Sequence, residues 1–212
     1  FLFEFLFYGE FVDFLFPKRV SRNVFATRKP SGEVKRRIIF GGHTDASPEW
    51  TFSLHGGLPA LAAVIGGSII GMFIIFGSNI AIFVKSLMSD AVVLEGFWKV
   101  LGIVNICTIP CIIAIMFFIN WRGIVDGAND NLSANYIPMA VMKEMAENDF
   151  RFENTEVCCL LSGSEEAGLR GAKAFAKKHR QEMLDVETVF ISLDTMREIK
   201  EFRINTIGCT GT

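Results

Sequence analysis

Six residues in this sequence are of the types that hold divalent cations and move protons. They are His43 and Asp45 in "GGHTD", Asp130 in "GANDN", the pair Glu165-Glu166 in "GSEEAG", and Asp194 in "SLD". Taken singly, each has an ordinary reading. A strand-end histidine is more often structural than a ligand, an aspartate after a Gly-rich turn is usually a cap, and two glutamates before Ala-Gly read as the acidic first turn of a helix. Taken together they are harder to dismiss. Five carboxylates and one imidazole gathered at one sheet edge repel one another unless cations neutralise them. Oxygen-rich sites with a histidine suit zinc, manganese or cobalt. Two such ions bridged by a carboxylate acidify a shared water. A glutamate outside the metal shell can then take the proton from that water. In His43-x-Asp45, the aspartate is placed to hold the second imidazole nitrogen and fix the ring's tautomer.

The elements that must position these residues read as alternating strands and helices. Asn23 to Arg28 and Lys35 to Gly42 read as strands, with "KPSGE" as the turn between them. Asn131 to Asn148 has helical spacing. Thr155 to Gly163 and Glu187 to Thr195 are short apolar runs of buried-strand type. "AGLRGAKAFAKKHRQEM" reads as an amphipathic helix between them. Such alternation predicts an α/β fold with a mostly parallel sheet, and such sheets carry their sites at the carboxyl ends of strands. His43, Glu165, Glu166 and Asp194 all fall at or just past the end of an apolar run.

"GGHTD", "GANDNLSA", "GSEEAGLRGAKAF" and "SLD" occur in the order seen in the co-catalytic zinc exopeptidases, the family of bacterial leucyl aminopeptidase, aminopeptidase Y and glutamate carboxypeptidase II. The chain resembles that family over residues 20 to 45 and 123 to 195. The resemblance implies a three-layer sandwich around a mostly parallel mixed sheet, binding two divalent metal ions, zinc by preference, and acting on peptides. It implies His43 as ligand of one metal, completed by Asp194, with Asp130 as the bridging carboxylate and Glu166 as ligand of the other metal. Glu165 is then the general base, and Asp45 orients His43. Two departures stand out. Ala134 replaces the glycine that usually follows the serine in "DNxSG", and the family's second ligand histidine belongs well downstream of "SLD". The other histidines are His55, read as an interfacial residue, and His179, read as a surface residue of the amphipathic helix. The expectation is therefore a fragment that stops short of the missing histidine and holds one metal poorly. A start at Phe1 rather than methionine agrees with that.

The composition adds something typical soluble members of the family lack. Half of the 212 residues are hydrophobic, and the mean hydropathy is +0.37. No Asp, Glu, Lys or Arg occurs from Trp50 to Val84 or from Val100 to Trp121. About 20 apolar residues cross the roughly 30 Å of a bilayer core, so spans are expected over 58–84 and 100–120. Trp98 and Trp121 bracket the second span, and Gly67 and Gly71 form a small-xxx-small pair that lets two helices approach. Asn105 and Pro110 require a neighbouring helix to satisfy the polar groups they expose. The expected domains are 1–57 and 122–212 as one peptidase unit, with 58–121 as an inserted transmembrane hairpin. The Phe-rich start is interrupted by Glu4, Glu10 and Asp13, so it lacks signal-peptide character and reads as an amphipathic surface helix.

The five cysteines form no metal or redox spacing and read as free thiols, which leans toward a cytoplasmic peptidase unit. A net charge of −2 gives no reason to expect a nucleic-acid partner. The expected function is a membrane-anchored metallo-exopeptidase, most simply an aminopeptidase, working on peptide substrates at a lipid bilayer. Two alternatives are a non-catalytic receptor or scaffold relative and a glutaminyl-cyclase-like acyltransferase. A channel or transporter is disfavoured because neither span carries an ionisable residue.

Overall fold

The fold is described from a computed structural model, over residues 9–88 and 95–196. In chain order the elements are β1 (Val24–Arg28), β2 (Arg36–His43), β3 (Pro48–Trp50), α1 (Thr51–Met88), α2 (Phe97–Ile115), β4 (Ile119–Ile124), α3 (Ser133–Glu147), β5 (Thr155–Ser162), α4 (Arg170–Lys178), α5 (Arg180–Leu184) and β6 (Glu187–Ser192). They fall into two units, Phe1–Ser47 with Asp126–Thr212, and Pro48–Val125.

The first unit is mixed α/β, as the alternation of elements predicts. Its sheet runs β1-β5-β2-β6, with β2 parallel to both β5 and β6 and β1 antiparallel to β5. The turn after β1 therefore does not close a hairpin, because β5 lies between β1 and β2. β5 takes that central place because Val157 to Leu160 are all buried, an apolar stretch that needs cover on both faces. Alternation along β2 divides its side chains between two layers. Ile38 and Phe40, with Val157, line a cavity shared with Ala140, Val141 and Met145 of α3. Ile39, Cys158 and Leu160 pack with Phe175 of α4, and Phe25 and Met183 complete the cluster.

The expected single helix after β5 is two. α4 stops at Lys178, and α5 begins at Arg180. His179 sits at the break, stacked on Phe175 with ring centroids 4.6 Å apart and with Nδ1 3.0 Å from a Glu182 carboxylate oxygen. It is a half-buried joint between two helices rather than a plain surface residue.

Of the Phe-rich start, residues 1–8 lie outside the described residues. The rest forms only a short 3-10 turn, Asp13–Leu15, in place of the expected amphipathic helix. Asp13 makes a two-pronged ion pair with Arg170, and Glu10 pairs with Lys173 at 2.9 Å, which fastens this strap to α4.

In the second unit, α1 is interrupted at Gly57 (φ 63°, ψ −164°), and Pro59 stands just beyond the break. Proline suits the first turn of a helix, where its missing N–H has no partner to lose. The apolar helix proper therefore begins near Leu58. α2 ends at Ile115, five residues before the expected end of the second span. Ile119–Ile124 instead forms β4, which pairs antiparallel with β3. The ribbon is tied by Asn120 Nδ2 donating to Glu49 Oε1 at 3.0 Å.

The helices meet along Leu61, Ser68, Gly71 and Ser78, the buried residues of α1. A Cβ on Gly67 would come within 2.7 Å of Cys111 Sγ, and one on Gly71 within 2.8 Å of Thr108 Cβ. Only glycine permits that approach. The Ser68 hydroxyl is shared between the carbonyls of Val64 (2.6 Å) and Cys111 (2.7 Å), and Ser78 Oγ lies 3.2 Å from Asn105 Oδ1. The polar group of Asn105 thus has its partner on the facing helix. Both helices are long and apolar enough to cross a membrane, with mean hydropathy of 2.3 and 1.9. Their apolar windows are only 17% and 0% buried. Lys85 lies over the Trp98 ring, 4.9 Å from its centroid.

Candidate metal centre

Three parallel strands deliver the site by ending together. His43 is the last residue of β2 and stands opposite Ser162 of β5. β5 runs on through Gly163 and Ser164 to Glu165-Glu166. Beyond β6, Leu193 N donates to Gly41 O at 2.7 Å, which carries the ladder one step further and brings Asp194 alongside His43. Asp130 arrives from the turn ahead of α3, where Gly127 takes a left-handed conformation (φ 65°). A side chain there would be strained and would also crowd Ala46, 3.0 Å from an added Cβ.

His43 is 4% exposed and lies at the centre. Its Nε2 is 3.0 Å from Asp130 Oδ1, 3.8 Å from Glu165 Oε2 and 3.9 Å from Asp194 Oδ1. Its Nδ1 is 3.0 Å from the main-chain carbonyl of Asp45. A carbonyl only accepts, so Nδ1 carries a hydrogen, and Nε2 is the ring nitrogen turned toward the carboxylates. Negative groups gathered about one ring nitrogen call for positive charge between them, which a bound cation supplies.

Asp45 does not act as the His-x-Asp spacing suggests. Its carboxylate is 3.7 Å from Nδ1, beyond hydrogen-bond range. Instead it accepts the backbone N–H groups of Glu165 (3.0 Å) and Glu166 (3.1 Å). The same loop is closed at its base by Asn23, which accepts from Gly163 N (3.1 Å) and donates to Gly171 O (2.7 Å).

The electrostatics of these acids agree with their crowding. Burial, then Asp130 and Glu165, pushes Glu166 up to about 6. Glu165 is also raised, first by burial and then by Asp194, Asp45 and Asp130, with His43 opposing. Each raised value records the cost of keeping negative charge among like charges away from water. A divalent cation removes that cost, and this donor set of carboxylates and one imidazole is the kind zinc accepts. Among the described residues, two groups have ligand atoms within 4.8 Å of one another: His43 with Asp130 and Asp194, and His43 with Glu165 and Glu166. Asp130, Glu165, Glu166 and Asp194, the four expected residues other than Asp45, therefore come together around His43. Glu165, expected as a base outside the metal shell, sits in the second group. His55 is an exposed residue of the second unit ahead of the Gly57 break.

Two functional candidates escaped the reading of the sequence. Asn131 and Asn135, each 2% exposed, hydrogen-bond the main chain beside Asp194 and at His43. Their spacing of four residues was the available signal, but asparagine at the start of a helix normally reads as a cap.

The family model for Peptidase family M28 matches residues 116–206. That stretch contains Asp130, Glu165, Glu166 and Asp194, and it begins after His43 and Asp45. The match supports, in broad terms, kinship with the co-catalytic zinc exopeptidases and with it a metal-dependent peptidase. No curated protein matches the chain.

Proposed function

We propose that this protein is a membrane-anchored exopeptidase, an aminopeptidase by preference, whose site holds two zinc ions. The observation that carries the reading is His43 Nε2 surrounded by the carboxylates of Asp130, Glu165 and Asp194 within 3.0–3.9 Å. His43, Asp130 and Asp194 would hold one ion. Glu166 would hold the other, with Asp130 between them, and this ion would be the more weakly held, since no second histidine stands beside Glu166 among the described residues. Bound there, divalent zinc supplies Lewis acidity and lowers the pKa of water toward neutrality.

The remaining work belongs to the chain. Glu165 takes a proton at a carboxylate oxygen from the attacking water and returns it to the leaving amine. Its raised pKa, set chiefly by burial, suits a group that must both accept and release a proton near neutral pH. Asp45 holds Glu165 and Glu166 in place through their peptide N–H groups, and its carbonyl fixes the His43 ring. α1 and α2 anchor the peptidase in the bilayer. Support for the anchor is their length, their apolar composition and the small part of each that is buried.

The test is to purify the full chain in a mild detergent, measure bound zinc, and assay release of the first residue from short peptides. We expect zinc-dependent release that a chelator abolishes. Glu165→Gln should lower kcat by roughly 10²–10⁴-fold, the usual worth of a general base, while leaving zinc content unchanged. A folded, metal-free protein that releases nothing would instead make this chain a scaffold. Loss of ammonia from N-terminal glutamine peptides would make it a cyclase.

A further inference from the structure

Segment 130–135 does more than supply Asp130. Asn131 Nδ2 donates to Leu193 O at 2.9 Å, and Asn131 Oδ1 accepts from Thr195 N at 3.3 Å. These two peptide groups flank Asp194, so a single side-chain amide grips the chain on either side of that carboxylate. Four residues on, Asn135 Nδ2 donates to the main-chain carbonyl of His43 itself. Gly42 makes room for this contact, since a Cβ there would collide with Asn135 Oδ1. Six consecutive residues thus present Asp130 and fix the backbone at both other members of the His43–Asp130–Asp194 group.

Asn135 is also costly for the fold. Among the described residues its Oδ1 is buried without a hydrogen-bond partner. A buried, unpaired carbonyl oxygen loses its hydration with no return, whereas a leucine of similar size would lose nothing. A side chain kept merely to fill this space would be apolar. What the amide adds is the grip on His43.

We propose that Asn131 and Asn135 are positioning residues that set the spacing of His43 and Asp194 about Asp130, and so the affinity of this group for a divalent cation. The inference rests on the two-zinc reading of the site. Groups that orient metal ligands commonly change metal affinity by about 10- to 100-fold when removed.

The test is calorimetric titration of the metal-free full chain with Co²⁺, followed in parallel by the visible absorption of bound cobalt, for the unchanged protein and for Asn131→Ala, Asn135→Leu and Asn148→Ala. Asn148 lies at the far end of α3, and among the described residues its side chain hydrogen-bonds Glu144 alone. We expect Asn131→Ala and Asn135→Leu to weaken one binding step by about 10-fold or more and to alter the cobalt spectrum. Asn135→Leu also removes a donor from the buried His43 carbonyl, so Tm should fall as well; the altered cobalt spectrum of the folded variant is the readout that a purely structural role would not move. Asn148→Ala should match the unchanged protein. If Asn131→Ala does not fold, Asn135→Leu decides alone. Unchanged Co²⁺ affinity in folded Asn135→Leu overturns the proposal and leaves the metal reading intact, as does equal weakening in Asn148→Ala. A folded, unchanged protein that takes up no Co²⁺ overturns the metal reading and this proposal with it.

Discussion

Asp45 divides its work between main chain and side chain, and the two parts can be separated by substitution. The carbonyl holds the His43 ring, while each carboxylate oxygen takes one peptide N–H from the Glu165-Glu166 loop. In Asp45→Asn the carbonyl contact survives, but one acceptor becomes an NH2 group facing a peptide N–H. Two donors then oppose each other, and the loop must shift. We expect kcat to fall about 10- to 100-fold, as for other groups that orient a metal site, with zinc still bound at the His43–Asp130–Asp194 group. Steady-state kinetics alongside metal analysis checks this, and an unchanged kcat would show that the loop holds its place without the carboxylate. At this scale the residue types were legible before any fold was known, because few roles bring acids together with a histidine. Their partners were not. Whether Nδ1 meets a carboxylate or a carbonyl depends on the path of the chain after β2, which no spacing rule records.

The helix pair shows how little the outer faces matter compared with one seam. Gly71 lies against Thr108, whereas Gly66 of the same helix has nothing within 4 Å of an added Cβ. Gly71→Leu should therefore push α1 from α2 and cost about 1–3 kcal/mol, the usual penalty for overpacking. Gly66→Leu should leave stability unchanged or slightly raised. Thermal unfolding in one detergent compares the two, and equal effects would mean that the seam contributes no stability. The Gly67/Gly71 spacing revealed this seam in the sequence. The β3–β4 ribbon was hidden, since Ile119 to Trp121 continues the uncharged run of α2 and Arg122 reads as the polar end of a span. Only pairing with Pro48–Trp50 turns that stretch into a strand. The α4–α5 break was hidden because His179 fits a helical pattern, and its stacking on Phe175 and tilted contact with Phe25 become visible only once β1 lies beside α4.

For the chain as a whole, the expected membrane anchor makes a direct prediction about a thiol. Cys107 is exposed on α2, Cys111 is half-buried, and Cys158 and Cys159 are buried. In a Cys209→Ser background reconstituted into lipid vesicles, a membrane-impermeant maleimide should leave Cys107 unmodified. A cysteine placed at exposed Ser86 near the end of α1 should react within minutes. Equal labelling at both positions would rule out a bilayer around α2. The sequence by itself determined the alternation of strands and helices, the two long apolar helices and the residue types of the site, because periodicity, hydropathy and metal chemistry are local properties of a chain. The tertiary structure decided the strand order β1-β5-β2-β6, the double acceptor role of Asp45, and the amides that bracket Asp194 and His43. Those contacts join residues 62 to 121 positions apart, and which distant groups meet is settled only when strands pair and buried polar atoms compete for partners.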